Sequence, residues 1–289
     1  MIFGVDTASV AGNTNVSWTR AKAEGPISFA ILRAAWGTSK DTFFQSNWDP
    51  LKSAGLVAGA YLFLRFRTEK FGAAPAPADQ AQTMIDVVGG RLEPKTDLPP
   101  IIDVEFPGSG RIETGLTAAQ LLDGVRDVWH RLADKFGVPP IIYTSGRVWR
   151  EDLSDLPAPD LVESPLWLAR YPFDNNLPAV RDPVRAAQLA PEVPSPWGDP
   201  QAWFIHQYQG NAIQMPGFPT GNVDMNRFHA ASKGDQGGHV QWIRRRLGID
   251  ETNVFDDATE AKVRALQDAA GMTVDGIVGP KTFARLAWE

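Results

Sequence analysis

Residues 99–105 read Pro-Pro-Ile-Ile-Asp-Val-Glu, an apolar strand pattern that ends in two carboxylates. Side chains alternate faces along a strand, so Asp103 and Glu105 project the same way, with Cα atoms roughly 6 to 7 Å apart, and Val104 points to the opposite side. Two acids side by side repel each other, and one is readily pushed to hold a proton near neutral pH. A carboxyl that keeps its proton is what acid-assisted cleavage of a sugar acetal requires.

Outward from this segment, short apolar runs alternate with helical patterns as far as about residue 228. The predicted strands are Ile2 to Asp6, Phe29 to Ala34, Leu56 to Phe63, Ile101 to Glu105, Ile141 to Thr144, Leu166 to Arg170 and Trp203 to Tyr208. The clearest helix opens at Thr117, which stands three residues before Gln120 in a capping-box spacing. Its stripe of Leu121, Val125, Val128, Leu132 and Phe136 recurs at helical intervals, takes in Trp129 as core, and stops at Gly137. Strands interleaved with helices over this length predict a closed β/α barrel rather than an open sheet. The pattern loosens later: the proline-rich stretch from Pro172 to Pro200 predicts missing or short helices, and Arg65 to Ala78 reads as an extended loop.

A Ser/Gly/Lys/Asp segment between His229 and Gly238 reads as a hinge. The predicted domains are therefore 1–229, a linker at 230–237, and 238–289. In the last of these, Val240, Ile243 and Leu247 form one helical stripe. Asp257 is the expected cap of a second helix, with Glu260 three residues on, and Pro280 starts a third. The run Arg244, Arg245 and Arg246 is expected to spread over a solvated helix face.

Composition narrows the function. The chain has 289 residues, no cysteine and a formal net charge of -6, so disulfides, thiolate metal sites and cysteine nucleophiles are excluded. Without a dense basic tract, electrostatic capture of nucleic acid is not expected, and no apolar run is long enough to insert in a membrane as a helix. His130 and His206 lack the companions of a metal site, and neither a metal nor a cofactor is expected. The N-terminal residues enter a strand pattern without a leader-like segment.

In a barrel, chemistry sits where strands end, so Asp6, Arg33, Asp103, Glu105, Tyr143, Gln207 and the following Asp224 would meet around one mouth. Here the chain resembles glycoside hydrolase family 25, the lysozyme-type N-acetylmuramidases. The matching pieces are Gly4-Val5-Asp6 with Ser9, Phe29 to Ala34, Gly59 to Phe63, Asp103-Val104-Glu105, Tyr143-Thr144, Leu166 to Ala169 with Tyr171, His206-Gln207-Tyr208, and Val223 to Asn226. It departs from the family at Leu62, where a histidine is expected, and at His206, where tryptophan is more usual. The resemblance implies an incomplete barrel of five helices and eight strands that cleaves the β-1,4 bond between N-acetylmuramic acid and N-acetylglucosamine in peptidoglycan. It implies Glu105 as general acid, Asp103 as its partner, and Asp6 and Asp224 as supporting acids. Arg33, Tyr61, Phe63, Tyr143, Trp167, Gln207 and Asn226 are the implied substrate contacts.

The tail resembles a common peptidoglycan-binding domain, most clearly in Asp275-Gly276-Ile277-Val278-Gly279-Pro280-Lys281-Thr282. Its partner would be bacterial peptidoglycan, held by a monomer. An endolysin of phage origin, made in the host cytoplasm without a signal peptide and acting on the wall after release, fits the combination; an exported bacterial autolysin is the alternative. A metal-dependent phosphodiesterase, a catalytically silent wall-binding protein and a chitinase-like hydrolase are the rival functions.

Overall fold

Each barrel strand keeps an inward row and an outward row, and the two rows have different tasks. The computed structural model describes residues 1–67, 72–106, 111, 114–173 and 176–289. The extended loop expected over Arg65 to Ala78 lies outside the described residues at 68–71, and α3 already begins at Pro77. The strands are β1 (Ile2–Thr7), β2 (Ile27–Trp36), β3 (Ser39–Lys40), β4 (Val57–Phe63), β5 (Ile101–Asp103), β6 (Ile141–Thr144), β7 (Leu166–Ala169), β8 (Ile205–Ala212) and β9 (Val223–Phe228). β1 pairs with both β2 and β9, which closes eight strands into a barrel, and the two-residue β3 hangs from the end of β2. Seven strands run parallel. β9 is antiparallel to both of its neighbours, β8 and β1.

β9 is absent from the strands read from sequence. Of its inward positions, Asp224 and Asn226 are polar and only Phe228 is apolar, so it lacks the apolar alternation that marked the others. The fourth expected strand, β5 in the structure, also stops at Asp103 rather than Glu105, although the Val104 amide still bonds to the Tyr143 carbonyl at 2.9 Å.

Outward residues such as Val5, Leu32, Leu62, Ile102, Val104, Ile142 and Leu168 pack under the helices. These helices are α1 (Trp18–Glu24), α2 (Thr42–Ser53), α3 (Pro77–Val88), α4 (Ala118–Phe136) and α5 (Pro183–Ala186). The capping box of α4 forms as read: Thr117 Oγ1 accepts from the Gln120 amide, and the Gln120 side chain accepts from the Thr117 amide. Gly137 ends the helix at φ 74°, a left-handed position where a side chain would be strained. Between Pro172 and Pro200 the four-residue α5 is the one α-helix among the described residues.

Inward residues fill the lower barrel with Phe29, Ile31, Val57, Ile101, Ile141, Ile205 and Phe228. Gly4 has its place here because a Cβ would sit 2.4 Å from the Phe29 ring.

The apolar floor continues into the C-terminal helices α6 (Gly238–Arg246), α7 (Asp257–Ala269) and α8 (Pro280–Ala287). The Phe283 ring lies 4.6 Å from that of Phe204 and 5.5 Å from that of Phe228, so the helical module seals the end of the barrel where the parallel strands begin. Trp242 Nε1 donates to the Glu163 carbonyl at 3.0 Å, and Trp288 Nε1 donates to the Asp97 carbonyl at 2.8 Å. The segment read as a hinge is pinned: the Ala231 and Val278 backbones exchange two hydrogen bonds, and Gly234, Asp235 and Gly237 bond to Phe255 and Asn253.

Two local expectations for this module need correction. The cap of α7 is Asp256, one residue earlier than expected, because its carboxylate accepts from the Thr259 amide at 2.8 Å. Arg244 is not on a solvated face. It is 1% exposed and binds Asp250, Asp256 and Thr259, because its helical position follows Val240 by one turn and falls on the buried stripe. Arg245 crosses to the barrel and pairs with Glu163 at 2.5 Å.

Candidate active site

The opposite end of the barrel, where the parallel strands finish, gathers the carboxylates. Asp6 is inward at the end of β1, and in register directly across from it on β9 is Asp224. Asp103 ends β5, opposite Tyr143 on β6 and Phe63 on β4, and Glu105 follows two residues later on the same side. Antiparallel β9 begins at the mouth, so its early residue Asp224 reaches the ring that the parallel strands supply with late residues.

Hydrogen bonds fix the geometry of this ring. Gln207 Nε2 donates to Asp6 Oδ1 at 2.7 Å and to Asp224 Oδ2 at 3.4 Å, and Gln207 Oε1 accepts from Tyr143 at 2.7 Å and from Tyr171. Asn226 Nδ2 donates a second bond to Asp6 Oδ1 at 2.7 Å, while Asn226 Oδ1 accepts from Trp167 Nε1 at 2.8 Å. The Asn211 amide binds Asp224 Oδ1 at 2.6 Å. Asp103 Oδ1 is buried and has no hydrogen-bond partner among the described residues.

Burial dominates the electrostatics. It pushes the Glu105 carboxyl up to about 7, with Asp224 adding to the rise and Arg147 opposing it. Asp224 is pushed up to about 6 by burial, against its bond from Asn211. Asp103 rises through burial and then through the charges of Glu105 and Asp6, with Arg33 pulling it back. Asp6 rises through burial and Asp224, against the donors Asn226 and Gln207. The sequence reading made the charges of Asp103 and nearby acids the cause of Glu105 holding its proton. Desolvation comes first instead, and Asp224 supplies the charge.

The expected substrate contacts divide into two groups. Tyr61, Phe63, Tyr143 and Gln207 stand in the mouth, and Phe63 retains partial exposure. Trp167 and Asn226 lie beneath it at 1% and 0% exposure, where they hold Asp6 from below. Arg33 is buried, its Nε bonded to Asp41 at 2.8 Å and an Nη to Ser9. Asp41 was not singled out from the sequence; its position just before α2, whose Phe43 amide it caps, is the available signal. Tyr171 was quoted but given no role, yet it is an exposed aromatic on the rim bonded to Gln207.

His206 is fully buried outside the barrel wall, where burial and the adjacent Arg227 push it down to about 3 against its hydrogen bond with the Arg170 carbonyl. Among the described residues no group of three or more His, Asp or Glu side chains is placed to hold a metal ion.

A closed β/α barrel that gathers at its mouth four carboxylates whose pKa values are raised by desolvation is a frame suited to glycoside hydrolysis. Comparison with known proteins gives the family. The model for glycosyl hydrolases family 25 matches residues 5–217, so the chain belongs to that family, and its enzyme class is lysozyme. A peptidoglycan binding domain model matches residues 239–286. Lysozyme M1 of Streptomyces globisporus is 28% identical over 230 residues, which span 79% of this chain and 68% of that protein. A bacterial lysozyme from Streptomyces coelicolor superimposes with a TM-score of 0.61 at 27% identity, over 79% of this chain and 92% of the other. A muramidase from Acremonium alcalophilum shares the fold with a TM-score of 0.60 at 23% identity, over 79% of this chain and 94% of the other. The family match ends before β9, and the register of that strand and the hydrogen bonds of Asp224 and Asn226 bring both residues to the site.

Proposed function

We propose that the enzyme is an N-acetylmuramidase that cleaves the β-1,4 bond from N-acetylmuramic acid to N-acetylglucosamine, with Glu105 as general acid. The observation that carries this reading is the half-buried Glu105 carboxyl, set beside three further acids and pushed up to about 7 by desolvation and by Asp224. It keeps its proton through the weakly acidic range and gives it to the glycosidic oxygen as the bond to the anomeric carbon breaks.

Asp103 and Glu105 come from one strand end and do not straddle a sugar ring. The nucleophile is then the substrate's own 2-acetamido oxygen, which attacks the anomeric carbon and forms a cyclic oxazolinium ion. The orphaned Asp103 Oδ1 is an acceptor suited to the acetamido N–H, and it offsets the positive charge that develops there. Water then adds to the anomeric carbon and gives its proton to the Glu105 carboxylate, which restores the acid with net retention. Asp6 and Asp224, cross-linked through Gln207, keep the mouth anionic toward an oxocarbenium-like transition state.

Peptidoglycan is the partner of both modules; we take the protein to work as a monomer without nucleic-acid binding or membrane insertion. Synthesis in a host cytoplasm followed by release onto the wall, as for a phage endolysin, is the setting we favour over export as a bacterial autolysin. Mass spectrometry of digested wall tests the bond: muramic acid at the new reducing end supports the assignment, and glucosamine there overturns it. Glu105→Gln is expected to abolish turnover while sugar binding persists. Turnover near the wild-type rate in that variant removes Glu105 from its role.

A further inference from the structure

Beside Glu105 the mouth opens into a recess of about 270 Å³, bounded by Phe106, Thr144, Arg147 and Tyr171 among others. Arg147 is the one cation in its lining among the described residues. Its guanidinium is about half exposed and is engaged only through Nη1, which lies 3.3 Å from Glu151 and 3.6 Å from Asp152 on the turn that follows. A guanidinium with N–H groups that no acceptor among the described residues takes up thus borders the recess beside Glu105.

We propose that this recess binds a carboxylate on the side arm of the muramoyl sugar, with Arg147 as its cationic partner; the inference rests on the muramidase reading. Asp103 and Asp224 are the acids that neighbour Glu105, and the guanidinium of Arg33 at the mouth is already bonded to Asp41, so a carboxylate on the glycan finds its cationic partner at Arg147. The muramoyl residue carries a lactyl ether at the carbon two positions from the one under attack. Its arm therefore leaves the ring close to Glu105. The carboxylate has two possible sources: the lactyl group itself where no peptide is attached, and the acidic residues or C-terminus of an attached stem peptide. An arginine fork recognises either by paired charge-assisted hydrogen bonds.

Three soluble glycan substrates separate the sources: strands whose stem peptides have free carboxylates, the same strands with those carboxylates amidated, and peptide-free strands with exposed lactyl carboxylates. Assays are run below pH 6, where Glu105 remains protonated whether or not the guanidinium is present. Arg147→Gln is expected to raise KM about tenfold on a carboxylate-bearing substrate, to keep kcat within twofold, and to leave the amidated strands unaffected. A loss on the peptide-bearing strands assigns the contact to the stem, and a loss on the peptide-free strands assigns it to the lactyl group. Arg147→Lys is expected to recover part of the KM, as a charge contact requires and a folding defect does not. Equal losses on amidated and free strands, or an unchanged KM on both carboxylate-bearing substrates, overturn the proposal. If the wild-type enzyme opens none of the three, the muramidase reading fails instead.

Discussion

The side-chain amide of Gln207 lies 2.7 Å from the Asp6 carboxylate, and its other end takes hydroxyl hydrogen bonds from Tyr143 and Tyr171. One amide therefore orients both an acid and two aromatic rim groups. Hydrogen bonds to a charged group are worth about 1.5–3 kcal/mol, and a buried carboxylate without them shifts toward its neutral form. Gln207→Leu is expected to raise the Asp6 pKa further and to lower kcat about 10- to 100-fold. Pre-steady-state and steady-state rates on cell wall, with the pH profile of kcat/KM, check this. An unchanged profile sinks the role given to the amide.

The pH dependence of activity follows from Glu105. A general acid held near 7 works while protonated, so kcat/KM is expected to fall about tenfold per pH unit above 7. The acidic limb belongs to a cluster whose other members, Asp103 among them, are raised above the ordinary aspartate value. The profile should therefore be a bell with its acidic limb above pH 4. A plateau extending to pH 9 in a steady-state titration rules the assignment out.

The same arrangement costs stability. Glu105 has a higher pKa in the folded chain than in the unfolded one, so it favours folding most at pH values below the unfolded value and loses that contribution as pH rises through about 7. Glu105→Gln removes a half-buried, poorly solvated charge at alkaline pH and is expected to stabilise the protein by about 1–3 kcal/mol at pH 8, with a smaller gain at pH 5. Thermal melts of the two proteins at both pH values measure it. A destabilised variant at pH 8 contradicts the picture of a strained acid.

Legibility in the sequence followed the type of signal each element carries. The seven parallel strands showed apolar runs, and α4 showed a capping box and stripe, so both were readable. β9 was not, because Asp224 and Asn226 occupy the inward positions that would otherwise display the alternation. Functional demand erased the structural pattern there. Spacing placed Asp103 and Glu105 on one side, but what lifts Glu105 depends on burial and on Asp224, which meets it only through barrel closure. Arg244 was misread for a related reason. Three consecutive arginines look solvent-facing, whereas the acids Asp250 and Asp256 that bury one of them come from the loop beyond the helix.

Phe283 shows how the two modules depend on each other. Its ring is fully buried between Phe204 and Phe228 of the barrel floor and Trp242 of α6, the last at 5.4 Å. Emptying a fully buried aromatic position costs about 3–5 kcal/mol, from the lost transfer energy and the cavity left behind. Here the cavity lies at the junction, and the bridging bonds of Trp242, Trp288 and the Ala231–Val278 pair are lost with it if the helices separate. Phe283→Ala is therefore expected to lower the melting temperature of the barrel as well as the module, with both unfolding in one calorimetric transition in the wild-type protein. A freely tethered module predicts two independent transitions, with the barrel transition untouched by the substitution. Scanning calorimetry of the full chain separates these outcomes.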